Sequence, residues 1–194
     1  MVDTKTKSEF KREILPAGSY VGTLYSIVDL GTQIWEYQGQ PTKLKKIRLS
    51  RELPTELRVN KTENGEQPIA IHKEYTLSFS EKANLRKDLK SWRGKDIVEW
   101  EPFDIATMIG ENCLLSIGIK AGRENEYNVI NAISAPVKWS IKQELLNKPV
   151  IWTLDDGMNE IYTNFPQFLR DKISACVEWT NPKAENDDDY DLPF

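Results

Sequence analysis

Residues 43–53 read KLKKIRLSREL, and the phase of this stretch decides the fold class. On an extended chain Ile47, Leu49 and Leu53 fall on one face, while Lys46 and Arg48 fall on the other. Alternation with a period of two marks a half-buried β-strand. The polar face of this strand is basic, a first hint of an anionic partner.

The flanks extend the pattern. Upstream, Gly18 to Leu30 is rich in Tyr, Val, Thr, Leu and Ile and predicts a strand, which Gly31 either ends or bulges. Gln33 to Tyr37 reads as a further short strand, and Gln38-Gly39-Gln40-Pro41 as a turn. Downstream, residues 54–68 contain Pro54, Asn60, Asn64, Gly65 and Pro68 and read as a polar loop. Ile69 to Phe79 resumes period two, with Ile69, Ile71, Tyr75 and Leu77 in phase.

A helix follows. Ser80 reads as its N-cap, Leu85, Leu89 and Trp92 as its buried stripe, and Gly94 as its stop. Lys82, Arg86, Lys90 and Arg93 form a basic stripe beside the apolar one. Asp104 to Ile109 predicts a short helix, and Asn112 to Ile119 and Tyr127 to Ile133 predict two more strands.

This order predicts a mainly β fold: an OB-fold-like, five-stranded antiparallel barrel with one helix between strands three and four. The barrel domain is expected over 1–136, with 1–13 as a leader. A small α/β appendage is expected over 137–180. It holds a strand within Lys148 to Leu154, a turn at Asp155-Asp156-Gly157, and a helix from Pro166 to Val177. The inner face of that helix reads as Phe168, Leu169, Ile173 and Cys176. Residues 181–194 read as a flexible, disordered acidic tail.

Composition narrows the chemistry. The chain of 194 residues is 39% hydrophobic, enough for a packed core. One histidine, His72, excludes a His-rich metal site, and Cys113 and Cys176 make neither a C-x-x-C zinc module nor a disulfide framework. No metal or cofactor is expected. The longest uncharged stretch, Ile14 to Val28, is 15 residues and carries Pro16, Gly18 and Gly22, too short for a membrane helix. A soluble, cytoplasmic protein is expected.

The net charge of −4 conceals a split. Residues 1–95 carry 18 Lys and Arg against 12 Asp and Glu, whereas residues 185–194 carry five acids and no base. A basic half followed by an acidic tail suits a polyanion-binding surface and an interaction segment. Sequence-tolerant binding of a single strand needs aromatic faces for bases and cations along the phosphates. Trp35, Tyr37, Lys43, Lys46, Arg48, Lys73 and Tyr75 supply both in the candidate second and third strands, and Lys82, Arg86 and Arg93 extend the cationic path. Trp92 is expected in the core.

The C-terminus reads Asp187-Asp188-Asp189-Tyr190-Asp191-Leu192-Pro193-Phe194. A terminal Phe side chain can fill an apolar pocket while the carboxylates meet a basic rim. The segment resembles the C-terminal tip of bacterial single-stranded DNA-binding proteins, with Leu192 where that tip has Ile. The resemblance implies that Asp187, Asp188, Asp189, Asp191, Leu192, Pro193 and Phe194 recruit replication, recombination and repair proteins.

Two blocks in the body, Leu15 to Tyr20 running on to Asp29 to Gln33, and Lys73 to Ser78 running on to Glu81 to Leu89 and Trp92 to Gly94, resemble a phage-encoded family of single-stranded DNA-binding proteins. That resemblance covers roughly residues 15–135. It implies an OB fold and non-specific single-strand binding during phage replication, hence the host cytoplasm.

A non-enzymatic single-stranded DNA-binding protein is therefore the leading expectation. Behind it stand an adaptor acting through its tail alone and, at a distance, a metal-dependent nuclease using Asp155 and Asp156. Stacking on aromatics does not separate DNA from RNA. The sequence leaves a homo-oligomer open, along with the role of residues 137–180.

Overall fold

The computed structural model describes residues 14–37, 39–59, 65–97, 103–123, 125–136 and 142–180. The expected leader 1–13 and tail 181–194 lie outside them. The chain is mainly β. Its strands are β1 (Gly18–Tyr37), β2 (Gln40–Val59), β3 (Glu66–Thr76), β4 (Asn112–Ala121), β5 (Glu126–Ser134) and β6 (Val150–Trp152). Its α-helices are α1 (Asn84–Arg93), α2 (Glu160–Thr163), α3 (Gln167–Ser174) and α4 (Val177–Thr180).

Five strands form one antiparallel path in the order β3-β2-β1-β4-β5, and β6 joins β1 in parallel. β1 organises this arrangement. One of its edges pairs with β2 from Thr23 to Tyr37. Its other edge pairs first with β4, over Gly18 to Thr23, and then with β6, over Ser26 to Val28.

The expected break near Gly31 is a bulge inside a single strand. The β1–β2 register slips between Asp29 and Gly31, and Gly31 has a φ of 66°. Only glycine fits there for a second reason. A Cβ on Gly31 would lie 2.7 Å from the Cβ of Cys176, which the turn between α3 and α4 brings against the strand.

The two faces of the sheet bury two cores. Leu24 and Ile27 of β1, Ile47, Leu49 and Leu53 of β2, and the Leu85, Leu89 and Trp92 stripe of α1 share the main one. Val28 and Leu30 point the opposite way, into a second core with Trp152, Tyr162, Leu169 and Ile173. Burial on both faces explains the adjacent apolar residues Ile27 and Val28, which enter opposite cores. Trp152 lies at the centre of the second core, with the rings of Tyr162 and Phe165 both 5.6 Å away and Trp179 at 6.1 Å.

Residues 142–180 are therefore part of the sheet and its packing. The Glu52 carboxylate accepts the backbone N–H groups of Leu146 and Asn147, and Asn112 exchanges two hydrogen bonds with the Gln143 backbone. Two further boundaries differ from expectation. β2 runs on to Val59 because a bulge between Leu53 and Leu57 absorbs Pro54, after which Leu57 pairs with Pro68. α1 starts at Asn84 behind Ala83, because Ser80 forms a preceding turn in which its carbonyl accepts the Ala83 N–H.

Candidate nucleic-acid interface

Beyond the Gly31 bulge, β1 and β2 continue as a two-stranded ribbon that turns at Gly39. The register pairs Gln33 with Leu44, Trp35 with Thr42 and Tyr37 with Gln40. Directly opposed residues share a face. Gln33, Trp35 and Tyr37 therefore sit on one face with Thr42, Leu44 and Lys46, and in the phase of β2 this face continues to Arg48. Ile34 sits on the reverse face, opposite Lys43.

Trp35 is 64% exposed and Ile34 65%, so each face of the ribbon presents one large apolar side chain to solvent. The Tyr37 backbone pairs with Gln40, and its side chain lies outside the described residues. Lys46 donates to the Thr76 hydroxyl at 3.3 Å, and Lys45 lies 3.7 Å from Asp29. The ribbon is braced from below, where the Gln33 side chain donates to the Leu30 carbonyl at 2.6 Å and to the Lys172 carbonyl of α3 at 3.1 Å.

Arg48 lies where the ribbon meets the sheet. Its Nη1 is 3.1 Å from Glu74, its partner in the β2–β3 register, and its guanidinium carbon is 5.4 Å from the centre of the Phe168 ring. Glu74 also takes Lys172 at 2.5 Å. The outer face of β2 and β3 is thus partly roofed by α3, a contact that joins Arg48 to the C-terminal unit. Tyr25, the extra residue of the first β1 bulge, lies near Arg48, Ser50 and Glu52. Burial raises its hydroxyl pKa above the ordinary range, and the Glu52 charge adds to the shift.

The remaining expected contact residues lie elsewhere. Tyr75 is 3% exposed and belongs to the main core, where its hydroxyl donates to Asp88 at 2.8 Å. Its ring is not available for stacking, which corrects the sequence expectation. Its period-two phase with Ile71 is the physical reason. Burial raises the pKa of its hydroxyl far above the ordinary value.

Lys73 shares that inward face. Its ammonium is 2.7 Å from Asp88 and 5.3 Å from the centre of the Tyr75 ring. Arg86 bonds Asp96 and the Phe79 carbonyl, and the Arg93 guanidinium lies 4.3 Å from the centre of the Phe103 ring. The α1 stripe thus holds the chain that leaves the helix rather than standing open. Hydrogen bonds from Lys90 and Arg86 push the Asp96 carboxyl well below the usual range. Lys82 is exposed, but it lies in the turn before α1.

The sequence grouping therefore separates into two sets. Trp35, Lys46 and Arg48 come together on one face, with the Tyr37 position in register. Lys43 stands on the reverse of the ribbon, while Lys73, Tyr75, Arg86 and Arg93 serve the body of the fold.

Two exposed aromatics were missed. Tyr127 is 50% exposed at the β4–β5 hairpin, opposite Lys120. Phe168, expected on the inner face of its helix, is 55% exposed. The Tyr127-Lys120 pair gives no signal in sequence, because hairpin register sets it.

Of the two acidic-site candidates, Asp156 has structural partners. Asp156 caps its own 3-10 turn by accepting the Thr153 N–H and hydroxyl, at 2.8 and 3.0 Å. Among the described residues there is no group of three or more His, Cys, Asp or Glu placed to hold a metal ion. Among them, too, no helix is long and apolar enough to cross a membrane. The expected recruiting residues Asp187, Asp188, Asp189, Asp191, Leu192, Pro193 and Phe194 lie outside the described residues. No protein-family model matches the chain, and no curated protein matches it in sequence.

Proposed function

We propose that this chain is a non-sequence-specific single-stranded DNA-binding protein of replication and recombination, built on an OB-type barrel and working without catalysis. The observation that carries this reading is the exposed Trp35 on a ribbon whose same face leads through Lys46 to Arg48. A flat ring offers its face to any base, and a row of cations follows the phosphates without reading sequence. The strand order β3-β2-β1-β4-β5 supports the fold part of the proposal, because an OB barrel opened between its third and fifth strands has this order. The acidic C-terminus, ending in Leu192-Pro193-Phe194, serves as the recruiting segment for partner proteins.

The test is a tryptophan-fluorescence titration with a thymine oligonucleotide and with a duplex of equal length, at low and moderate salt. Quenching by the single strand alone, weakening steeply as salt rises, is the expected result. No response to either ligand, with a gel shift agreeing, overturns the proposal and leaves an adaptor acting through its tail. Deleting residues 185–194 is a second arm. The tail is a polyanion that competes for the same cations, so the truncated protein binds more tightly at low salt. Equal affinity argues against that competition.

A further inference from the structure

Phe168 lies in the first turn of α3 with 55% of its surface exposed, although the same helix fills two core positions, Leu169 and Ile173. Its ring is backed by a charge. The Arg48 guanidinium carbon lies 5.4 Å from the ring centre, and the Arg48 side chain is only 12% exposed. Glu74 holds that guanidinium in place at 3.1 Å and takes Lys172, one helical turn beyond Phe168. A ring with a fixed cation behind it and solvent in front is rigid, and its open face suits another flat group.

Its position matters as much as its exposure. Arg48 shares a β2 face with Lys46, Leu44 and Thr42, and Thr42 is the register partner of Trp35. Arg48 is six steps along the strand from Thr42, a span of about 20 Å at about 3.3 Å per residue. This is within the footprint of about 4–16 nucleotides that a single-strand-binding barrel covers. Lys46 lies between the two rings, and Gln33 ties the root of the ribbon to the Lys172 carbonyl, so both rings are braced by α3.

We propose that Phe168 is a second base-stacking platform. A bound single strand places one base on Trp35 and a later base on the open face of Phe168, with Lys46 along the phosphates between them. The inference rests on the single-strand-binding reading above. It adds that the C-terminal unit is part of the binding surface.

The test compares the parent protein with W35A, F168L and F168W, using thymine oligonucleotides of graded length. Leucine keeps the bulk of Phe168 and removes its π-face. The expected result for F168L is a loss of about fivefold or more in affinity for long oligonucleotides, and a smaller loss for oligonucleotides too short to reach from Trp35. F168W retains parent affinity and adds a quenching signal that the parent lacks.

Thermal melting of F168L at the parent temperature shows that folding is intact. F168L is expected to pass, because most of the ring is outside the core. If W35A weakens binding while F168L and F168W match the parent in affinity and quenching, Phe168 is not a platform and the ribbon reading stands. If the parent itself binds no single strand, both proposals fall.

Discussion

Glu52, in the middle of β2, accepts the backbone N–H of Leu146 at 2.6 Å, across 94 residues of chain. The same carboxylate accepts the backbone N–H of Asn147 at 2.9 Å and its side-chain amide at 2.6 Å. It is fully buried, so these donors stand in for water. Glu52→Ala leaves three donors without an acceptor, and each such group costs about 1–3 kcal/mol. The expected loss in urea unfolding is about 3 kcal/mol or more, with Glu52→Gln falling between the two. Equal stability of the alanine variant and the parent would show that this carboxylate does not anchor the C-terminal unit.

Trp35 and Tyr75 are expected to separate binding from stability. Trp35→Ala removes an exposed ring and leaves the melting temperature unchanged. Its affinity for a thymine oligonucleotide falls by about fivefold or more. Tyr75→Phe removes the hydrogen bond to Asp88, which costs about 1 kcal/mol of stability, and leaves affinity at the parent level. Titration and thermal melting of both variants check the pair. A Tyr75→Phe protein that folds well but binds poorly would return Tyr75 to the interface.

Salt dependence reports which lysines neutralise phosphates. Each phosphate contact to a single strand contributes about 0.7 to the slope of log affinity against log salt. Lys46→Ala, on the Trp35 face of the ribbon, is expected to make the slope shallower by about that amount. Lys90→Ala leaves it unchanged, because the Lys90 ammonium is bonded to Asp96 at 2.8 Å beside α1. Titrations at four or five salt concentrations decide between these outcomes.

Acid is expected to loosen α4. Burial alone would raise the pKa of the Glu178 carboxyl, but it accepts the Thr32 N–H and hydroxyl, and these bonds hold it below its ordinary value of 4.5. A pKa lowered by folding stabilises the native state fully above the ordinary carboxylate range. That contribution is lost as pH falls through the lower, folded value. The melting-temperature gap between the parent and Glu178→Gln is therefore constant from about pH 7 to pH 5 and closes in stronger acid. A gap that stays open to pH 2 would contradict this.

Local pattern made much of the fold legible. The period-two phase of Ile47, Leu49 and Leu53, the helical stripe of Leu85, Leu89 and Trp92, and the stop at Gly94 follow from backbone geometry, and the structure has all of them. The parallel docking of β6 on β1 did not, because a three-residue strand carries no pattern that names its partner. The candidate site divided along the same line. Exposure of Trp35 follows from a ribbon that outruns the core. Phe168 is adjacent to the buried Leu169, and one residue along a helix is a turn of about 100°. Only the packing of Leu169 and Ile173 into the second core decides that Phe168 faces outward. The inward face of β3 was readable, but at Tyr75 a π-face and a buried position call for the same residue type, and burial prevailed.

The parallel seating of β6 has a consequence for biosynthesis. A nascent chain that has left the ribosome only as far as Ser134 already holds every strand of the antiparallel path. Ser26 to Val28 still offers an unsatisfied edge, and Val28 and Leu30 remain bare until Trp152, Leu169 and Ile173 arrive. Long-range closure of this kind is slow, and an open strand edge beside exposed apolar side chains invites pairing with another chain. A fragment ending near residue 136 is therefore expected to aggregate rather than persist as a free sheet. During synthesis the vulnerable interval ends only when the last helices have docked.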